Sequence, residues 1–121
     1  MSDTRAVGFE KEKEAIKFLK KSGYKILETN FRAICGEIDV IAKHGKCLVF
    51  VEIRYRNSSS RGLPQESVTP KKQKKIIKTA ILYLKKNNLN TDFRFDIAAI
   101  CGDKIEIIES AFAPNPGTYY I

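Results

Sequence analysis

"CGEIDVIAKHGKCLVFVEIRYR", Cys35 to Arg56, holds two apolar runs, "IDVIA" and "CLVFVEI", on either side of the polar tetrad "KHGK". A short connection containing Gly between runs rich in β-branched residues is a hairpin pattern, so two antiparallel strands are expected here. Placing His44 and Gly45 in a two-residue turn sets Lys43 opposite Lys46. Strand alternation then gathers Ile38, Val40, Ala42, Cys47, Val49, Val51 and Ile53 on one face, expected to meet the core. The other face carries Glu37, Asp39 and Ile41 against Leu48, Phe50, Glu52 and Arg54, with Glu37 opposite Glu52 and Asp39 diagonal to it. Like charges opposed across strands cost up to roughly 1 kcal/mol unless a cation lies between them. Mg²⁺ is typically held by one or two carboxylates with waters and phosphate oxygens, so these acids suit a metal site that awaits a phosphate. An exposed, salt-bridged sheet face accounts for the same pattern without a ligand.

Upstream, Thr4 to Lys21 reads as a helix: Ala15, Ile16 and Leu19 recur at helical spacing, Lys20 and Lys21 fill the last turn, and Gly23 ends it. Glu12 shares the apolar face of that helix, from which it could reach the sheet or stay solvated at the edge. "YKILETNFR", Tyr24 to Arg32, is a strand. Downstream, Asn57 to Val68 is rich in Ser, Gly and Pro and reads as a long loop. Thr69 and Pro70 are an N-cap and a first helical residue, followed by an apolar stripe of Ile76, Ile77, Ala80, Ile81 and Leu84. Gln73 lies in the first turn of this helix, its amide directed to a phosphate, a water, Arg54 or solvent. "FRFDIAAI" and "KIEIIESAF" follow as strands around Gly102 and Asp103. The order α-β-β-β-α-β-β is that of an α/β domain, a mixed sheet flanked by helices, over residues 1–112, with an irregular tail at 113–121.

A chain of 121 residues is one domain by length. No stretch approaches the ~18 apolar residues of a membrane span, and the N-terminal "MSDTRAVGFEKEKEA" has no apolar core of a signal peptide. No membrane association and a cytoplasmic location are therefore expected. Cys35, Cys47 and Cys101 are odd in number and widely spaced, with no CxxC pair, which argues for small buried or semi-buried thiols and against a disulfide framework or a zinc knuckle. A net charge of +8 favours polyanionic partners, nucleic acid first, although excess lysine also serves solubility alone. Lys71, Lys72, Lys74 and Lys75 crowd the second helix, and Arg32, Arg56 and Arg61 lie near the acids or the loop. Together they are candidates for tracking a phosphate backbone; each lysine is equally explained as the wet face of an amphipathic helix.

"GEIDVIA" followed by "LVFVEIRYR" resembles the D…(D/E)xK signature of restriction-endonuclease-like nucleases, with Asp39 and Glu52 as the two acids. More closely, "GFEKEKEAIKFLKKSGYKIL", "NFRAICGEIDVIA", "VTPKKQKKI" and "FRFDIAAI" resemble, in order, the YraN family of bacterial proteins, which is similar to archaeal Holliday junction resolvases. The resemblance spans roughly residues 5 to 112. It implies a restriction-endonuclease-like core and a metal-dependent endonuclease site. Asp39, Glu52 and the carbonyl of Ile53 would ligate Mg²⁺ or Mn²⁺, and Glu12, Glu37 and Gln73 would match the family's other site positions. It also implies DNA, branched DNA included, as substrate, and by analogy a homodimer, since cutting both arms of a junction needs two sites.

Two positions depart from that pattern. Arg54 stands where the family has lysine, and Lys11 where it usually has a small residue. An arginine keeps the charge that offsets a phosphorane-like transition state, but with a pKa above about 12 it does not serve as a base. Three functions follow as alternatives: a metal-dependent nuclease, a nucleic-acid-binding module with impaired hydrolysis at Arg54, and a protein-interaction domain whose basic charge is incidental.

Overall fold

The structure, a computed structural model, describes residues 4–56 and 62–114. Its elements are α1 (Thr4–Lys21), β1 (Tyr24–Ala33), β2 (Gly36–His44), β3 (Cys47–Arg56), a single 3₁₀ turn (Pro64–Ser67), α2 (Pro70–Lys86), β4 (Phe93–Cys101) and β5 (Lys104–Phe112). The five strands lie in sequence order in one sheet, every neighbouring pair antiparallel except β3 and β4. Parallel neighbours need a crossover, and the 3₁₀ turn and α2 supply it. This is the α/β order expected from the sequence, consistent with a nuclease-like core. No helix among the described residues is long and apolar enough to cross a membrane.

Local signals place the helix ends. Thr69 Oγ1 accepts the Lys72 N–H at 3.3 Å and Pro70 occupies the first turn of α2. Gly23, at φ 92°, takes the left-handed conformation that stops α1. The loop expected across residues 57–68 is interrupted by the 3₁₀ turn, where Glu66 N–H bonds to the Leu63 carbonyl at 3.0 Å. Arg61 and the tail from residue 115 onward lie outside the described residues. Cys35 and Cys47 are half-buried thiols, whereas Cys101 is exposed, contrary to expectation.

The hairpin departs from its expected geometry in two ways. His44 pairs with Cys47 and Val40 with Val51, so the turn is Gly45 and Lys46, one residue later than expected. Gly45, at φ 63°, accommodates it. Moreover, neither face is wet: the sheet has a core on each side. Ala15 and Leu19 of α1 pack with Tyr24, Val40, Ala42, Val49, Val51, Ala98 and Ile100. Ile76, Ile77, Ala80 and Tyr83 of α2 pack with Ile38, Ile41, Leu48, Phe50, Phe95, Ile97 and Ala99. The uninterrupted run from Leu48 to Val51 is the sequence trace of a strand covered on both sides.

Strict alternation would put Ile38 beside Val40, yet Ile38 and Ile41 share the α2 face while Val40 faces α1. The alternation therefore breaks at Asp39. Opposite it on β1, between the Thr29–Val40 and Phe31–Ile38 pairs, Asn30 has φ 53°. Such local breaks re-aim a side chain, and here they free Asp39 from the face to which its position assigns it.

Gly36 explains the glycine of "GEID". A Cβ there would meet Thr79 Oγ1 at 3.0 Å and Lys75 at 3.5 Å. Thr79 is buried and its hydroxyl donates to the Lys75 carbonyl at 2.8 Å, so it has little room to yield. Gly36→Ala is expected to lose about 1–3 kcal/mol through this overpacking, read as a lowered urea midpoint; an unchanged midpoint contradicts the close approach.

Candidate active site

Asp39 Oδ2 accepts the backbone N–H of Ile53 at 2.8 Å, taking over from the β2–β3 ladder just past the Val40–Val51 pair. This bond brings Asp39 beside Glu52, with which it shares a hydrogen bond. Both acids are held above the usual carboxylate range. For Asp39, burial is the main cause, partly reversed by the Ile53 N–H and by Glu52, with Glu37 and Glu12 adding repulsion. For Glu52, burial and then the Asp39 carboxylate push the pKa up to about 8, against the pull of Arg54 and Lys72. Burial and mutual repulsion thus favour the protonated form of the pair, within which the Glu52 side chain is only 15 % exposed. Close acids that cannot both ionise are a mark of functional sites, because a chain selected for stability alone has cheaper residues for the position.

Next to the pair is a cavity of about 210 Å³, lined by Gly8, Lys11, Glu12, Asp39, Ile53 and Tyr55. Glu12 is steered into place by Asn30, whose amide donates to Glu12 Oε1 at 2.8 Å. The left-handed backbone of Asn30 thus serves both the strand break and the site. Asn is one of the few non-glycine residues that tolerate this conformation. An Asn inside a strand-like run is the signal that could have identified it; Tyr55 carried none beyond its place after Arg54.

The other expected residues are distributed around this centre. Glu37 is at the rim, paired in register with Arg32 and 3.6 Å from its Nε. Arg54 lies 3.9 Å from Glu52, but its guanidinium is held elsewhere: Nε donates to Ser67 Oγ at 3.2 Å and Nη2 to the Ser67 carbonyl at 3.0 Å. Gln73 donates from its amide to the Val68 carbonyl at 2.9 Å. Arg54 and Gln73 therefore both brace the junction between the 3₁₀ turn and α2. Arg56 donates to the Gly62 carbonyl at 3.0 Å. Lys71, Lys72, Lys74 and Lys75 are exposed on the first turns of α2, which carry no acid. The helix dipole disfavours cations there, so these lysines do not stabilise the helix end.

Among the described residues no three His, Cys, Asp or Glu side chains are grouped to hold a metal ion by themselves. That excludes there the closed cage of a structural zinc site. Asp39 on the wall of a small hollow, with Glu52 hydrogen-bonded beside it, does fit Mg²⁺ or Mn²⁺, which keep several waters and take further oxygens from a phosphate.

A second buried polar cluster escaped the sequence reading. Asp96 is 0 % exposed and accepts bonds from Arg94, from the Tyr24 hydroxyl at 2.7 Å and from the Ser110 N–H at 3.0 Å. Arg94 continues to His44 Nδ1 at 2.6 Å, and the His44 ring stacks on Tyr24 at 4.2 Å. With every buried atom satisfied, this cluster ties β1, β2, β4 and β5 together.

Comparison with known proteins matches residues 11–100 to the family described as "Uncharacterised protein family UPF0102". A UPF0102 protein of Thermodesulfovibrio yellowstonii is 47 % identical over 106 residues, covering 88 % of this chain and 95 % of its own. One from Persephonella marina is 46 % identical over 106 residues, covering 87 % and 91 %. One from Sulfurihydrogenibium is 44 % identical over 103 residues, covering 84 % and 90 %. Matches of this extent run through α1, the Asp39–Glu52 hairpin and α2, and the chain belongs to the UPF0102 family, the YraN family that its motifs resemble.

Proposed function

We propose that this protein binds DNA and carries a divalent-cation-dependent phosphodiesterase site built on Asp39 and Glu52. The observation that supports this reading most is the pair itself: two buried acids in hydrogen-bond contact, both with raised pKa, beside a cavity, with lysines on the neighbouring helix end. Bound there, Mg²⁺ or Mn²⁺ would polarise a phosphodiester and acidify a water. The chain's own part is to release the Glu52 proton, orient Asp39 through the Ile53 N–H, and track the backbone with Lys71, Lys72, Lys74 and Lys75. Branched DNA is the favoured substrate class, for which a homodimer would supply two cutting sites.

Calorimetric Mn²⁺ titration of the wild type and Asp39→Ala tests the site. The variant is expected to lose more affinity than the roughly 10–100-fold typical of partners one shell further out. Equal affinities in the two proteins refute the site. Cleavage is scored on linear, flapped and four-way DNA, and a wild type that cuts none of them refutes the hydrolytic part.

The tethering of Arg54 to Ser67 favours a second reading, a DNA-binding module with little hydrolysis. Arg54→Lys distinguishes the two: cleavage gained only in the variant supports the module, and cleavage lost from a competent wild type refutes it.

A further inference from the structure

Of the described residues lining the cavity beside Asp39, Lys11 is the one that is basic. Its ammonium is loosely held, 3.5 Å from Glu14 Oε2 and 3.5 Å from the Gly102 carbonyl, both at the outer limit of hydrogen bonding. It also lies 5.6 Å above the Tyr55 ring, which is itself 57 % exposed. Arg54, by contrast, does not line the cavity and is committed to Ser67 by two bonds. The cavity, at about 210 Å³, is smaller than the roughly 300–1,000 Å³ of sites for whole small molecules. It suits a phosphodiester group with its waters rather than a nucleoside.

An anionic phosphodiester entering beside Asp39 and Glu12 meets repulsion that one divalent cation only partly offsets. A second positive charge is needed on the same wall. We propose that Lys11 supplies it, its ammonium contacting a non-bridging oxygen of the phosphodiester in the cavity. Lys11 can do so by exchanging two long contacts for one short charge-assisted bond. This inference rests on the proposed phosphodiester site and goes beyond it, by moving the phosphate-contacting cation from β3 to α1.

The test uses the full chain as wild type, Lys11→Met, Lys11→Arg and, as a control for lost surface charge on α1, Lys17→Met. Anisotropy of a labelled DNA oligonucleotide is measured with and without Ca²⁺, and Mn²⁺ affinity is measured calorimetrically in parallel. Lys11→Met is expected to bind Mn²⁺ as the wild type does, yet to lose about 10-fold or more of the Ca²⁺-dependent gain in DNA affinity. Lys11→Arg should recover part of it, and Lys17→Met should keep it. If Lys11→Met retains the full gain, the role of Lys11 is refuted while the metal site stands. If the wild type binds no Mn²⁺ and shows no gain with Ca²⁺, the site and this role fall together.

Discussion

Replacing Asp96 with alanine is expected to cost about 3–5 kcal/mol, the range for breaking a buried ion pair by removing one partner. A domain of this size has about 5–15 kcal/mol in all, so the variant should unfold at far lower urea or not fold at physiological temperature. The loss is large because one carboxylate serves many donors. Oδ1 accepts Arg94 Nε and the Ser110 N–H, each at 3.0 Å, and Oδ2 accepts Arg94 Nη2 at 3.0 Å and Tyr24 at 2.7 Å. Burial, and then Asp96 itself, push the Tyr24 phenol pKa well up, so Tyr24 is a donor throughout the useful pH range. Without Asp96, the Arg94 guanidinium, only 18 % exposed, keeps among the described residues one acid, Glu109 at 3.8 Å. Ser110, at φ 50°, loses the bond that holds its backbone. Replacing Asp96 and Arg94 together by Leu and Met should recover part of the loss, because no charge is then left unpaired. A single-variant cost below about 1 kcal/mol in urea denaturation would falsify the assignment of Asp96 as the keystone of this cluster.

Glu52→Gln is expected to make the protein more stable at high pH while abolishing the proposed metal binding. The sign follows from the proton. Glu52 has its folded-state pKa raised to about 8, whereas the unfolded chain releases the same proton in the ordinary carboxylate range, near 4.5. Between those values the folded state holds more protons than the unfolded one, so stability is fully present below pH 4.5 and falls as pH rises towards 8. The full effect is on the order of 3–5 kcal/mol. Glutamine, which neither ionises nor repels Asp39, should remove this decline. Urea titrations of both proteins from pH 5 to 9 check it: curves that run parallel across that range contradict the raised pKa.

Metal binding at the proposed site would expel the same proton, so wild-type Mn²⁺ affinity is expected to rise about tenfold per pH unit below pH 8 and level off above it. Saturating Mn²⁺ should then stabilise the wild type more at pH 8 than at pH 6, and Glu52→Gln at neither. A pH-independent Mn²⁺ affinity would mean that Glu52 is not a ligand.

The acid pair was legible as residues but not as geometry. The motif around Asp39 and Glu52 identifies the acids, yet a turn at His44 and Gly45 with ideal alternation places Glu37 opposite Glu52. In the folded chain Glu37 pairs with Arg32, and the turn at Gly45 and Lys46 shifts the register so that Asp39 comes level with Glu52, its side chain re-aimed by a break in the strand. Alternation is a rule for regular strands and has no term for an irregularity whose cost is met by contacts elsewhere. Arg54 was likewise legible as a departure from the motif, but its commitment to Ser67 depends on where the chain returns after 13 residues. Asp96 gave no signal at all: a single acid in an apolar strand looks like an edge position until Tyr24, 72 residues away, is seen to meet it.

By itself the sequence determined the element order, the ends of both helices and the identity of the acids. These are set by neighbours a few residues apart: the Thr69–Pro70 cap, the left-handed Gly23, the apolar periodicities. The tertiary structure decided the hairpin register, the face to which Asp39 turns, the tether on Arg54 and the buried Asp96 cluster. Each depends on which distant surfaces bury one another, and packing α1 and α2 on opposite sides of one sheet leaves no wet face for these charges. They must pair, share a proton or face the cavity.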